Sequence, residues 1–160
     1  MNIGITGHQK LGNTELKRWI SEELRNEIRR LKPTMAYSCL AIGADQIFTR
    51  VILEEGIHHT AIVPCKDYQS TFKKSDLDGY VELLNLSIKI DELDFFNCSE
   101  YAFLQAGKHM VQKSDIIFAI WDGKKAKGLG GTADIVEYAI SDGKKVIHLN
   151  LILKTIITYK

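Results

Sequence analysis

The sequence predicts one α/β domain, a Rossmann-like three-layer sandwich with a mostly parallel sheet. Three observations predict it. Short β-rich runs alternate with longer helical periods along the chain, which is the pattern of strands joined by crossover helices. Small, glycine-containing turns follow several of the runs. Neither a repeat nor a linker divides residues 1–160.

The elements follow in order. Asn2–Thr6 reads as a strand ending in Gly7. Leu16, Trp19, Ile20, Leu24, Ile28 and Leu31 then recur at helical spacing, giving an amphipathic helix over Asn13–Leu31. Asn13 or Thr14 caps it, and Pro33 marks its end. Met35–Leu40 is a second strand and Ala44–Glu55 a second helix, stopped at Gly56. His59–Val63 is a third strand, closed by Pro64. The polar stretch Cys65–Asn97 is the least regular, with a helix around Leu77–Leu86 and a strand at Ser87–Ile90.

Ser99–Val111 is a helix with Ser99 as its cap. Asp115–Trp121 is the most apolar strand, which implies cover on both faces. A glycine-rich loop leads into a helix over Ala133–Ser141, ended by Gly143, and Lys145–Leu149 is a further strand. The β-branched tail Leu151–Tyr159 suits an edge strand or an oligomer contact.

Composition sets limits on function. With 21 basic and 20 acidic residues, the net charge of +1 gives no long-range field for nucleic acid, so nucleic acid is not expected as a partner. The cysteines Cys39, Cys65 and Cys98 are odd in number and far apart, which argues against a zinc site or a disulfide framework and suits a reducing cytosol. No run approaches the roughly 20 apolar residues of a membrane span, and no export signal precedes the first strand; the expectation is a cytoplasmic protein without a membrane partner. No group of residues has metal-ligand spacing, and no metal or cofactor is expected.

In an open parallel sheet, ligands bind beyond the carboxyl ends of the strands. Thr6, Gly7 and His8 follow the first strand; Gly43, Ala44 and Asp45 follow the second; Pro64 and Tyr68 follow the third. Trp121 and Asp122 end the most apolar strand, ahead of Gly128-Leu129-Gly130-Gly131-Thr132. That last loop is the sharpest signal. Its glycines let backbone N–H groups approach a ligand, and the helix behind it aims its own unpaired N–H groups and positive end at the same place. Gly130, Gly131 and Thr132 are therefore the candidate phosphate site, with Thr132 either capping the helix or donating its hydroxyl. Lys108, Lys66, Lys124, Lys125 and Lys127 are nearby cations, Lys108 foremost among them. Tyr68 and Trp121 are candidates to stack on a base, and Asp45 could accept ribose hydroxyls. If the protein is an enzyme, Asp122 and Glu137 are the acids placed to assist cleavage of an N-glycosidic bond. The loop is neither a P-loop nor a GxGxxG fingerprint, so nucleoside triphosphate hydrolysis and hydride transfer lack their usual supports.

ITGH at 5–8, LAIGAD at 40–45, IVP at 62–64 and above all AIWDGKKAKGLGGTADIVEYA at 119–139 resemble the SLOG superfamily, the Rossmann-like group that includes DprA and the Lonely-guy phosphoribohydrolases. The resemblance implies a nucleotide or nucleotide-derived ligand, such as an ADP-ribose-type signal of the sort related domains sense in antiphage defence. Its enzymatic alternative is a phosphoribohydrolase or a deoxyribosyltransferase-like enzyme acting on nucleoside 5′-monophosphates. The phosphoribohydrolase signature PGGxGTxxE places glutamate three residues after threonine, where this chain has Ile135. Phosphate binding carries over better than catalysis. Members of this fold group also often pair, so a homo-oligomer is an open expectation.

Overall fold

A computed structural model describes residues 1–125 and 128–160. The elements in chain order are β1 (Asn2–Gly7), α1 (Thr14–Leu31), β2 (Met35–Ser38), α2 (Ala44–Glu54), β3 (His58–Val63), a short 3-10 turn (Tyr68–Thr71), α3 (Lys74–Leu86), β4 (Lys89–Glu92), α4 (Glu100–Lys113), β5 (Ile116–Trp121), α5 (Thr132–Ser141), β6 (Lys145–Asn150) and β7 (Thr155–Tyr159). The seven strands form one sheet in the order β4-β3-β2-β1-β5-β6-β7. All neighbours are parallel except β6 and β7, so the tail is an antiparallel edge strand.

The side-chain pattern explains the layers. Ile116, Phe118 and Ile120 of β5 face one side with Ile20, Leu24 and Ile28 of α1 and Phe48 and Ile52 of α2. Ile117 and Ala119 face the other with Ala106, Met110 and Val111 of α4 and Ile135, Val136 and Ala139 of α5. The period-two alternation thus feeds two cores, as in a doubly wound sheet. Tyr80 and Leu83 of α3 cover Ala61 and Val63 of β3 in a third cluster.

Local signals act as the sequence implies at several ends. The Asn13 side chain accepts from the Leu16 N–H at 2.9 Å, and Ser99 accepts from the Ala102 N–H at 3.1 Å, so both residues cap their helices. Other ends differ. β2 stops at Ser38, because Leu40 turns into the left-handed region (φ 57°). β4 runs two residues later than the alternation suggests, and α3 begins at Lys74, before its first apolar position.

The cysteine reading needs correction. Cys65 and Cys98 form a disulfide with their Cα atoms 5.3 Å apart, and Cys39 remains free. Their separation of 33 residues hides that the segment after β3 and the one before α4 converge, as the Lys66 N–H bonded to the Phe95 carbonyl (2.9 Å) shows. The cysteine pattern therefore gives no support to a reducing compartment. Among the described residues no helix is long and apolar enough to cross a membrane.

Candidate functional site

The chain runs from β1 outward through β2, β3 and β4, then crosses to β5 on the other side of β1. The strand order reverses between β1 and β5, and a crevice opens beyond their carboxyl ends. It is a cleft of about 1000 Å³ walled by residues that follow β1, β2, β3 and β5, by the start of α4 and by the start of α5.

His8 and Asp122 meet across this switch point, with His8 Nε2 3.2 Å from an Asp122 carboxylate oxygen. The same oxygen accepts the Lys124 N–H at 3.0 Å, and the His8 N–H donates to the Ile120 carbonyl at 2.9 Å. Partial desolvation pulls the Asp122 carboxyl upward, but the Lys124 N–H and the His8 side chain outweigh it and hold it below the usual carboxylate range. Asp122 is thus an anion at neutral pH, suited to accepting hydrogen bonds or facing positive charge rather than to donating a proton.

Opposite this pair lies the glycine loop. Gly130 has φ 79°, and a Cβ there would lie 2.9 Å from the Leu104 backbone nitrogen, so glycine lets the loop rest against α4. Its N–H is already committed to the Asp134 carboxylate at 2.9 Å. Gly131 is the N-cap of α5 and makes no side-chain cap, while Thr132 is the first helical residue and largely buried. The expectation that Thr132 caps the helix is corrected: capping falls to a glycine, which leaves the N–H groups of the first turn unclaimed by a side chain at that position. Gly131, Thr132 and Ala133 all line the cleft.

The second-strand glycine has a different role from the one expected. Gly43 has φ 85°, and a Cβ on it would stand 2.3 Å from the Gln9 carbonyl oxygen and 2.6 Å from that of His8. The Ala44 N–H donates to the His8 carbonyl at 3.1 Å, and a Cβ on Gly7 would come 2.4 Å from the Ala44 Cβ. The close approach that Gly43 and Ala44 permit is between two backbones, not to a ligand; neither residue lines the cleft, whereas Thr6 and Gly7 do. These contacts hold His8 in place. Asp45 is buried at the cleft floor, where its carboxylate accepts the Cys39 N–H at 3.0 Å. Burial pushes its carboxyl up to about 7 against the N–H donors of Cys39 and Ala41. Burial, with Asp45 beside it, also pushes the Cys39 thiol up, which makes that thiol a poor nucleophile.

The far wall is aromatic. Tyr68 is 6% exposed and packs edge-on against Phe72 (ring centroids 5.0 Å apart) and Tyr80 (5.4 Å). Phe72 and the more exposed Phe103 also line the cleft and offer more surface than Tyr68 does. Trp121 lines the cleft but is not free to stack. Its indole N–H donates to the Lys124 carbonyl at 2.8 Å and its ring lies 5.0 Å from that of His148, so it pins the loop after β5.

Several expected residues are not brought together. Glu137 is exposed on α5 and outside the cleft. Lys108 lies on the other side of α4, its ammonium 5.0 Å from the centre of the Tyr138 ring. Lys66 pairs with Asp94 at 3.7 Å. Lys124 and Lys125 do line the cleft, and Lys127 lies outside the described residues. Glu100, Phe72 and Phe103 are cleft residues that sequence reasoning missed. The one signal Glu100 had is its place directly after the Ser99 cap, in the first turn of α4.

No family model matches the chain, and no curated protein sequence does. Solved structures of the same fold do. DNA processing protein A (DprA) from Streptococcus pneumoniae superposes with a TM-score of 0.64 at 14% identity, over 92% of this chain and 49% of that one. DprA from Helicobacter pylori, whose structure addresses its single-stranded DNA binding mode, gives 0.67 at 17% identity, over 92% and 64%. The Moco carrier protein from Chlamydomonas rheinhardtii gives 0.54 at 15%, over 92% and 74%. The chain therefore spans about half of one DprA protein it matches and just under two thirds of the other.

The DprA likeness overturns the expectation that nucleic acid is not a partner. Net charge reports only the long-range field, whereas a single strand is also held by local stacking and by a few phosphate contacts, to which a balanced total is blind. What the likeness shows is the architecture: this chain has the Rossmann-like fold of DprA and of the Moco carrier protein, the fold that its resemblance to the SLOG superfamily implied.

Proposed function

We propose that the cleft binds a nucleotide unit, with phosphate at the start of α5, sugar at the His8–Asp122 pair and base against Phe72 and Phe103. One observation carries this reading. A helix N-terminus, a histidine–carboxylate pair and an aromatic wall line a single cleft over the switch point. Each suits one part of a nucleotide: backbone N–H groups and helix dipole for an anion, carboxylate for hydroxyls, rings for a heterocycle. The volume of about 1000 Å³ sits at the upper end for small-molecule sites, which leaves room for a ligand larger than a mononucleotide, such as an ADP-ribose-type molecule or a short stretch of single strand.

A second reading, N-glycosidic cleavage, is favoured by the state and place of Asp122. An ionised carboxylate beside the sugar would stabilise oxocarbenium charge as the base departs. Glu137 has no part in it, being outside the cleft.

Calorimetric titration with nucleosides, nucleoside 5′-monophosphates, ADP-ribose and single strands of about four to six nucleotides tests the first reading and separates free from strand-borne ligands. Phosphate-bearing members should bind at least tenfold more tightly than the nucleosides. If nothing in the panel binds, or nucleosides bind as well as their phosphates, the proposal is wrong. Release of free base at high protein concentration, lost in Asp122→Asn, would establish the second reading; no release would leave binding alone.

A further inference from the structure

β4 ends the sheet with one edge unpaired, and nothing in its sequence blunts that edge with proline. Ile90 is the one apolar residue of the strand and is 49% exposed, and it continues an exposed apolar run from Leu86 at the end of α3 (54%) and Ile88 just ahead of β4 (60%). The opposite edge differs: β7 carries no charge within the strand, is flanked by Lys154 and Lys160, and its most exposed large apolar side chain, Ile156, is less exposed than Ile90. Lys89 and Asp91 alternate with the isoleucines and point to the α4 side, where Asp91 lies 2.6 Å from Lys89 and 3.4 Å from His109. Exposed isoleucines on an open strand edge call for a partner.

We infer that this edge is a homodimer interface in which two copies pair their β4 strands antiparallel about Ile90. The charges select that register. Backbone N–H and C=O groups alternate sides along a strand, so a two-fold pairing must be centred on a residue for the two edges to match. Centring on Lys89 sets two ammonium groups against each other, and centring on Asp91 sets two carboxylates together. Centring on Ile90 puts each Lys89 across from Asp91 of the second copy and the two Ile90 side chains together, and sets the Glu92 stem of each copy across from Ile88 of the other. Opposite charges directly across a strand pair are favourable and like charges are not. The result is a continuous sheet through both copies. None of these residues lines the cleft, so the interface stands independently of the nucleotide reading.

Sedimentation velocity on the full chain over about 1 to 100 µM, where an interface of modest size associates, gives the test. The wild type should move from monomer to dimer over that range. Ile90→Arg and Lys89→Glu should each raise the dissociation constant at least tenfold while the far-ultraviolet circular dichroism stays unchanged. The charge swap Lys89→Glu with Asp91→Lys should restore the dimer, because it re-forms the same cross-strand pairs with their signs exchanged. Ile156→Arg on β7 should leave association intact. A chain that stays monomeric throughout overturns the inference. So does a dimer indifferent to Ile90→Arg, one that the swap fails to restore, or one that Ile156→Arg dissolves.

Discussion

Gly43→Ala is expected to destabilise the domain by about 3 kcal/mol or more, the upper range for a single substitution. Two effects combine. The backbone at φ 85° and ψ −118° lies in a region that only glycine occupies readily, and the new Cβ would stand 2.3 Å from the Gln9 carbonyl oxygen. Neither obstacle can swing aside, since both are backbone. The loop after β1 must then retreat, taking the Ala44–His8 hydrogen bond and the His8–Asp122 contact with it. In a domain of this size the loss corresponds to a fall of about 10 °C in melting temperature, which differential scanning calorimetry would record. Gly56→Ala serves as the comparison. It also has positive φ, but a Cβ there meets nothing within 4 Å, so its cost is the backbone term alone, about 1 kcal/mol.

Gly131→Val is expected to weaken binding of a nucleoside 5′-monophosphate about 100-fold, equivalent to about 2.7 kcal/mol, with little effect on the parent nucleoside. Gly131 is the place to intervene because its φ of −68° and ψ of 169° accept a side chain, whereas any residue at Gly130 would collide with α4. The isopropyl group would crowd the first-turn N–H groups proposed to hold phosphate. Valine is a poorer N-cap than glycine, so a stability loss of about 1 kcal/mol accompanies the change; thermal denaturation shows whether the domain is still folded at the titration temperature. A folded variant with unchanged phosphate affinity would move the phosphate site elsewhere.

The sequence made the framework legible because strand and helix periods are local. The site was legible as far as strand ends go: His8, Asp122 and the Gly131–Thr132 step sit where the sheet reverses, and topology alone brings them together. What stayed hidden depends on rotation or distance. Gly107 lines the cleft and Lys108, one position later, is about 100° further round the helix and faces away. Glu137 illustrates the same limit on α5. Gly43 was read as an opening for a ligand because glycine chemistry is identical whether the neighbour is a phosphate or another loop; only the position of Gln9 decides. Phe72, Phe103 and the Cys65–Cys98 bond lie in or against the irregular stretch after β3, where no period constrains which residues meet.

The proposed place of the ligand is the switch point between β1 and β5. Backbone amide and histidine resonances, followed by nuclear magnetic resonance during titration with a nucleoside 5′-monophosphate, report that place residue by residue. The largest shifts are expected at His8 and Gln9, at Asp122–Lys124 and at Gly131–Ala133, with small ones along β4, β7 and the α4 face that carries Lys108. Shifts centred on Tyr101, Lys108 and His109, or spread evenly over the surface, would contradict that placement.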